Sequence, residues 1–184
     1  EGEATFATNN YAAGEQAGQE MLKILTEAGI TEGTIGLVSA QAGVQSCVDR
    51  VDGFCKALEG SGFTPSEVQY SEGDTAKAQE LATNLINNGA VALYGANEAA
   101  TIGCGNAARD AKDKVYCVGF DNSSANRALV RKGAVQAFMA QNPHDMGDQA
   151  VRAAVKLLDG GELGGEVTDT GVSIVTEENV EKFE

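Results

Sequence analysis

The chain has 184 residues, 42% of them hydrophobic, enough to bury one sizeable core, so one domain with at most an appendage is the default reading. Its 27 Asp and Glu against 13 Lys and Arg give a formal net charge of −14 and a pI near 4.4; that balance repels nucleic acid phosphates and anionic membrane surfaces and points to a small ligand that is not strongly anionic. No apolar run approaches the roughly 20 residues that span a bilayer, no basic-then-apolar signal segment is present, and a chain that opens on Glu1 is expected to be a mature, processed or cut-down product.

In chain order, helix-length amphipathic segments alternate with strand-length apolar runs. The pattern predicts a helix over 12–29, a strand over 34–39, a helix over 44–62, a strand over 67–71, a helix over 74–89, a strand over 90–96 and a helix over 98–111. It continues with a strand over 114–120, a helix over 124–133, a strand over 134–140, a helix over 143–161 and a strand over 170–175. Asp74 or Thr75 is placed to cap its helix, Pro143 suits a first turn, and several helices end in Gly as left-handed caps prefer. The one weak stretch is GGELGGEV (160–167), a Gly-rich link before the last strand. Strands alternating with helices imply an α/β fold: a doubly wound parallel sheet with helices on both faces, flavodoxin- or Rossmann-like.

The cysteines give little chemistry. Cys47, Cys55, Cys104 and Cys117 show no paired metal spacing and His144 is the single histidine, so no metal site is expected. Cys47 and Cys55 fall eight residues apart on one predicted helix, about 12 Å along its axis, whereas a disulfide needs Cα atoms within roughly 7 Å; they are not expected to bridge. Cys104 and Cys117 read as small buried hydrophobes. No G-x-S-x-G elbow and no phosphate-cradling G-x-x-x-x-G-K-[ST] occurs, and His144 in NPHDMG has no nucleophile beside it in sequence, so no catalytic residue is assigned and the histidine reads as a helix-start surface residue.

One motif points elsewhere. Gly103-Cys104-Gly105-Asn106-Ala107-Ala108 fits the G-x-G-x-x-G/A fingerprint of a dinucleotide site, and Asp121 ends a strand 18 residues after Gly103, close to where a ribose-binding acid would stand. That fingerprint must follow a strand directly and open a helix, so that the pyrophosphate meets free N–H groups. Here the predicted strand stops near Ala96 and the glycines come seven and nine residues later, inside a helix already begun. Close packing of that helix on the sheet is the better reading of both glycines, and an NAD-linked oxidoreductase fragment stays an alternative.

In an open parallel sheet, ligands bind outside the carboxyl ends of the strands. Those ends carry Ser39 to Ser46, Ser71 to Asp74, Asn97 and Glu98, Asp121 and Asn122, and Gln141 and Asn142. Asp121 can accept two hydroxyl hydrogen bonds, and Asn97 and Gln141 each offer a donor and an acceptor, which suits a neutral, hydroxyl-rich molecule such as a sugar.

The order GTIGLVSAQAGVQSCVDRVDGF, LYGANEAATIG and VYCVGFDNSSANRALVRKGAVQAFMAQNPHDMGDQAV resembles the C-terminal lobe of a ribose-binding-protein-type periplasmic sugar receptor, and TFATNNYAAGEQAG resembles the first crossing between lobes and the helix after it. The resemblance implies that Arg50 grips ring oxygen and hydroxyls, that Asn97, Asp121 and Gln141 are further polar contacts, and that Phe120 lines the site. It implies no cofactor. Where such receptors often carry an aromatic ring that stacks on the sugar, this chain has Gly73. Taken singly, Arg50 could instead form an ordinary surface ion pair with Asp49, Asp52 or Glu98, Asn97 and Asp121 could be helix caps, and Gln141 could satisfy a turn.

The resemblance further implies that 1–141 form the ligand-binding C-terminal lobe, and that 142–184 are a returning helix and last strand crossing to or from an N-terminal lobe with no counterpart in this chain. The implied function is solute binding for an ABC transporter, delivering a monosaccharide to a membrane permease, in the periplasm or as an extracellular membrane-anchored protein. The inducer-binding domain of a LacI-type regulator is the alternative, since VGFD is shared; QAFMAQNP favours the transport receptors. Half a cleft buries less of a ligand, so binding is expected to be weak or undetectable, and an exposed lobe interface invites a homodimer, through exchange of the 142–158 helix.

Overall fold

The computed structural model describes residues 4–165 and 167–184. In chain order the elements are β1 (Thr5–Ala7), α1 (Asn10–Glu27), β2 (Gly33–Ser39), α2 (Gln45–Leu58), β3 (Phe63–Tyr70), α3 (Thr75–Asn87), β4 (Ala90–Gly95) and α4 (Glu98–Asp110). They continue with β5 (Tyr116–Phe120), α5 (Ser124–Arg131), β6 (Ala137–Gln141), α6 (Pro143–Leu158), β7 (Val167–Asp169), β8 (Val172–Thr176) and a 3-10 turn over Val180–Phe183.

Six strands form one sheet in the order β3-β2-β4-β5-β6-β8. Side chains that alternate along a strand fall on opposite faces. Ile35, Leu37, Tyr94, Val118, Phe120 and Met139 join a core with α1 and α2, whereas Val38, Leu93, Cys117, Phe138 and Ala140 join one with α3, α4 and α5. Strands β4, β5 and β6 are buried on both faces, which is why they read as near-continuous apolar runs. The chain steps from β2 outward to β3 and then back across to β4, so strand order reverses between β2 and β4, and the crevice outside their carboxyl ends is the expected ligand position.

Four observations depart from the predicted elements. Strand β3 starts at Phe63, four residues early, and contains Pro65; it is an edge strand, where a missing N–H costs no ladder bond. A register shift there lets the Ser66 hydroxyl accept the Leu37 N–H at 3.0 Å. Strand β6 starts at Ala137 because Ala134 and Val135 give their N–H groups to Leu129 at the end of α5. The sheet is also not wholly parallel: β8 runs antiparallel to β6. Its direction follows from the path of the chain, which leaves the sheet after β6, returns alongside β1 as β7 and re-enters from the same end.

The short β1 and β7 were not foreseen. They pair in parallel, Thr5 with Val167 through Ala7 with Asp169, as a two-stranded ribbon outside the main sheet. Helix α6 lies beside that ribbon and not on the sheet. Only Ala153 of it is buried, while Val151, Val155 and Leu158 are exposed, Leu158 by 86%.

Candidate functional site

Helices α1 and α2 meet along glycines, and this contact sets the position of Arg50. A Cβ on Gly14 would lie 2.1 Å from the Arg50 carbonyl oxygen, and one on Gly53 would lie 2.0 Å from the Tyr11 carbonyl oxygen. The helix backbones therefore touch. Arg50 ends up 5% exposed, with its Nε donating to Asn10 Oδ1 at 2.9 Å and its Nη1 to the Ala96 carbonyl at 3.0 Å.

Beneath the guanidinium lies an aromatic floor. Arg50 Cζ sits 4.3 Å from the centroid of the Phe120 ring, a cation–π contact. Phe120 meets Tyr94 edge to face at 6.3 Å, and Tyr94 stacks on Phe54 at 3.9 Å. The Tyr94 hydroxyl donates to the Arg50 carbonyl at 3.2 Å, and burial pushes its phenol well above the ordinary range, against the opposing Arg50 charge.

Asp121 faces this cation from the exit of β5. Its Oδ2 lies 3.9 Å from Arg50 Nη1 and accepts the Glu98 N–H at 3.1 Å. Its Oδ1 accepts from Gln141 Nε2 at 2.6 Å. The carboxylate thus meets the free N–H end of α4, where the helix dipole favours negative charge. Gln141 is held from behind by the Thr8 hydroxyl, which donates to its Oε1 at 3.0 Å, and Asn10 Nδ2 donates to the Thr8 carbonyl at 3.2 Å. Thr8, Gln141, Asp121, Arg50 and Asn10 therefore close a ring of polar contacts. Beside it, Glu98, Asp121, Asn122, Gln141, Pro143 and Met146 line a hollow of about 340 Å³.

Four of the residues singled out in the sequence are brought together here: Arg50, Phe120, Asp121 and Gln141 form one contact network, with Asn97 at the adjacent start of α4. Asn97 caps that helix, its Oδ1 accepting the Ala100 N–H at 3.3 Å, so the group it has left for a ligand is Nδ2. Arg50 pairs with Asp121, not with Asp49, Asp52 or Glu98. Asp121 does not cap the helix after it, since Ser123 does. Phe120 is fully buried and meets the site only through the guanidinium above it.

Asn10, Thr8 and Tyr94 were missed in the sequence. Thr8, Asn9 and Asn10 stand just before the helix expected over 12–29, and Asn9 caps α1; nothing local separates its role from that of Asn10. Gly73 stands in an open turn at φ 75° with no atom near its missing Cβ.

The dinucleotide parsing fails on geometry. Helix α4 opens at Glu98, so Gly103 and Gly105 lie in mid-helix, where Cβ atoms would strike Ala78 of α3 and Val135 and Leu129 at 2.4 to 2.9 Å. All four cysteines are free; Cys104 and Cys117 are fully buried, and a hydrogen bond with Cys117, together with burial, pushes the Cys104 thiol up. Among the described residues, no group of His, Cys, Asp and Glu is placed to hold a metal ion. No described helix is long and apolar enough to cross a membrane. His144 lies exposed in the first turn of α6.

Residues 2–162 match the family described as periplasmic binding protein domain. The ribose import binding protein of Haemophilus influenzae is 28% identical over 157 residues, covering 84% of this chain and 52% of the relative. The D-allose-binding periplasmic protein of Escherichia coli is 30% identical over 158 residues, covering 83% and 50%. The chain spans about half the length of these curated relatives. Among solved structures, a sugar-binding protein of a sugar ABC transporter from Bacillus halodurans superposes on the whole of this chain and 67% of its own with a TM-score of 0.90 at 24% identity. An ABC transporter solute binding protein from Agrobacterium vitis with bound D-fucose matches at 33% identity with a TM-score of 0.86, over 97% of this chain and 62% of its own. This α/β chain, with its polar ring outside the carboxyl ends of β4, β5 and β6 and its residues 2–162 matched by the family model, belongs to the periplasmic binding protein domain family.

Proposed function

We propose that this chain is the sugar-binding lobe of an ABC transporter solute receptor, taking a neutral monosaccharide at the Arg50–Asp121 ring. The observation that carries this reading is the pair itself. A nearly buried guanidinium on an aromatic floor faces a carboxylate 25% exposed, across the carboxyl ends of the parallel strands. A cation that donates to ring oxygen and hydroxyls and an anion that accepts from hydroxyls together suit a polyol, because charge-assisted hydrogen bonds are the stronger ones. Arg50, Asn97, Asp121 and Gln141 are the polar contacts, Asn10 joins them, and Phe120 supports Arg50 from below. Glu98 adds a second carboxylate to the hollow, which disfavours sugar acids and sugar phosphates.

In this reading residues 1–141 form the lobe and 142–184 cross to or from a second lobe, the closed pair presenting its cargo to a membrane permease. The protein works in the periplasm or anchored outside a membrane, carries out no catalysis and needs no cofactor. A second copy of the chain covers the exposed face of α6 when no second lobe does so.

Equilibrium dialysis against labelled D-ribose, D-allose and D-fucose tests the assignment, with Arg50→Gln as the paired variant. Millimolar retention of at least one sugar by the native chain, weakened tenfold or more in Arg50→Gln, is expected. Equal retention by the two proteins would overturn it.

A further inference from the structure

We propose that Asn126 is a positioning residue that holds the Asp121 carboxylate in place for the ligand. This rests on the sugar-site reading above. Asp121 is one of only two non-glycine residues at positive φ among those described, at 75°. That left-handed backbone is disfavoured for any side chain with a Cβ and persists only when its surroundings hold it there. Asn126 supplies the hold. Its Nδ2 donates to the Phe120 carbonyl at 3.0 Å and to the Asp121 carbonyl at 2.8 Å, so one amide group clamps both carbonyls at the exit of β5.

The clamp is itself fixed. Asn126 is fully buried at the third position of α5, and its own N–H donates to the Ser123 cap hydroxyl at 3.2 Å. Two carbonyl partners settle which end of the amide is nitrogen, since an oxygen there would meet two acceptors. The other end, Oδ1, is buried without a hydrogen-bond partner among the described residues. An unpaired buried acceptor is unfavourable, and the two donor bonds offset it. An apolar residue at 126 would avoid that burden and lose the clamp. With the backbone of residue 121 turned this way, its carboxylate reaches the Glu98 N–H, Gln141 Nε2 and the Arg50 side at once.

The Glu98 amide is a clean reporter, because it is the first residue of α4 and has no intrahelical acceptor; its partner is Asp121 Oδ2. Amide hydrogen exchange and the ¹H–¹⁵N shift of Glu98 are compared in the native chain, in Asn126→Ala and in Val135→Ala. Val135 is an equally buried residue of the core that α5 helps to form. The expected result is that Asn126→Ala lowers Glu98 protection tenfold or more, displaces its resonance, and weakens D-ribose or D-allose retention tenfold, whereas Val135→Ala changes none of these relative to its own loss of stability. An unmoved Glu98 amide in Asn126→Ala, or an equal displacement in Val135→Ala, would overturn the proposal.

If the native chain and Arg50→Gln retain sugar equally, the sugar-site reading fails, while the Glu98 amide still decides whether Asn126 holds Asp121. Should Asn126→Ala be too unstable for native-state exchange, the unfolding free energy it costs is measured by urea titration both beside Asp121 and in an Asp121→Gly background, where glycine adopts the left-handed backbone freely. A cost of Asn126→Ala that is smaller there than beside Asp121 supports the clamp, and an equal cost contradicts it.

Discussion

Arg50 is nearly withdrawn from water, and a single carboxylate 3.9 Å away answers its charge. Much of its hold comes instead from directed hydrogen bonds to Asn10 and to the Ala96 carbonyl, and from the Phe120 face. Hydrogen bonds to charged groups contribute about 1.5–3 kcal/mol each, and a lysine ammonium cannot reproduce the planar fork that makes both. Arg50→Lys is therefore expected to lower unfolding free energy by about 2 kcal/mol in a urea titration and to weaken sugar retention tenfold; unchanged stability would show that the fork geometry is dispensable. The sequence marked Asp121 and Gln141 through their places after strands, and Arg50 through family resemblance. It could not mark Asn10 or Tyr94, because a polar residue in a helix's first turn and an aromatic residue in a strand have ordinary local roles. Their part here comes from a partner 40 or 44 residues away.

Among the elements, the crossing of α1 and α2 is the most exacting contact. Replacing glycine by alanine inside a helix normally gains up to about 1 kcal/mol. At Gly53 the sign reverses, because the new methyl carbon would lie 2.0 Å from the Tyr11 carbonyl oxygen and one helix must retreat. Overpacking of this kind costs typically 1–3 kcal/mol. Gly53→Ala is expected to be destabilising by about that amount in chemical denaturation, and to weaken sugar retention because Asn10 withdraws from Arg50; a stabilised variant would contradict the close approach. Helix positions in the sequence were legible from apolar periodicity, and the strands under them from apolar runs. What escaped was set by neighbours. The strand expected over 67–71 begins at Phe63 and takes in Pro65 because it sits at a sheet edge, and β8 is led into the sheet antiparallel to β6 by β7, whose partner β1 lies at the other end of the chain.

Across the whole molecule, two terms of opposite sign act on charge. Asp110, Asp148 and Glu181 are held below the usual carboxylate range by hydrogen bonds from Arg109, Arg152 and Arg131. A lowered folded pKa lends stability above the unfolded value, and that stability is lost as pH falls through the folded one; these pairs therefore weaken only in acid, below the ordinary carboxylate range. Their side chains are 42–68% exposed, so their share is small. The net charge of −14 acts over longer distances and opposes the compact state at neutral pH. Raising salt from about 0.01 M to about 1 M contracts the screening length from roughly 30 Å to roughly 3 Å. The thermal midpoint at pH 7 is expected to rise by a few degrees, about 2–4 °C for each 1 kcal/mol recovered; a fall would mean that the surface pairs outweigh the overall repulsion. The stripe Val151, Val155 and Leu158 leaves an exposed apolar face on α6. Sedimentation should show concentration-dependent dimers that Val155→Asp abolishes, and a native chain monomeric at all concentrations would contradict coverage of α6 by a second copy.

Sugar binding at the Arg50–Asp121 ring is read out by a ¹H–¹⁵N titration of the native chain with D-ribose and D-allose. Saturable shifts centred on the Arg50 Nε–H, the Asn10, Asn97 and Gln141 side-chain amides and the Asp121 backbone are expected. Shifts centred instead on the mid-helix glycines Gly103 and Gly105 with added NAD, or saturable sugar shifts centred away from this ring, would contradict it.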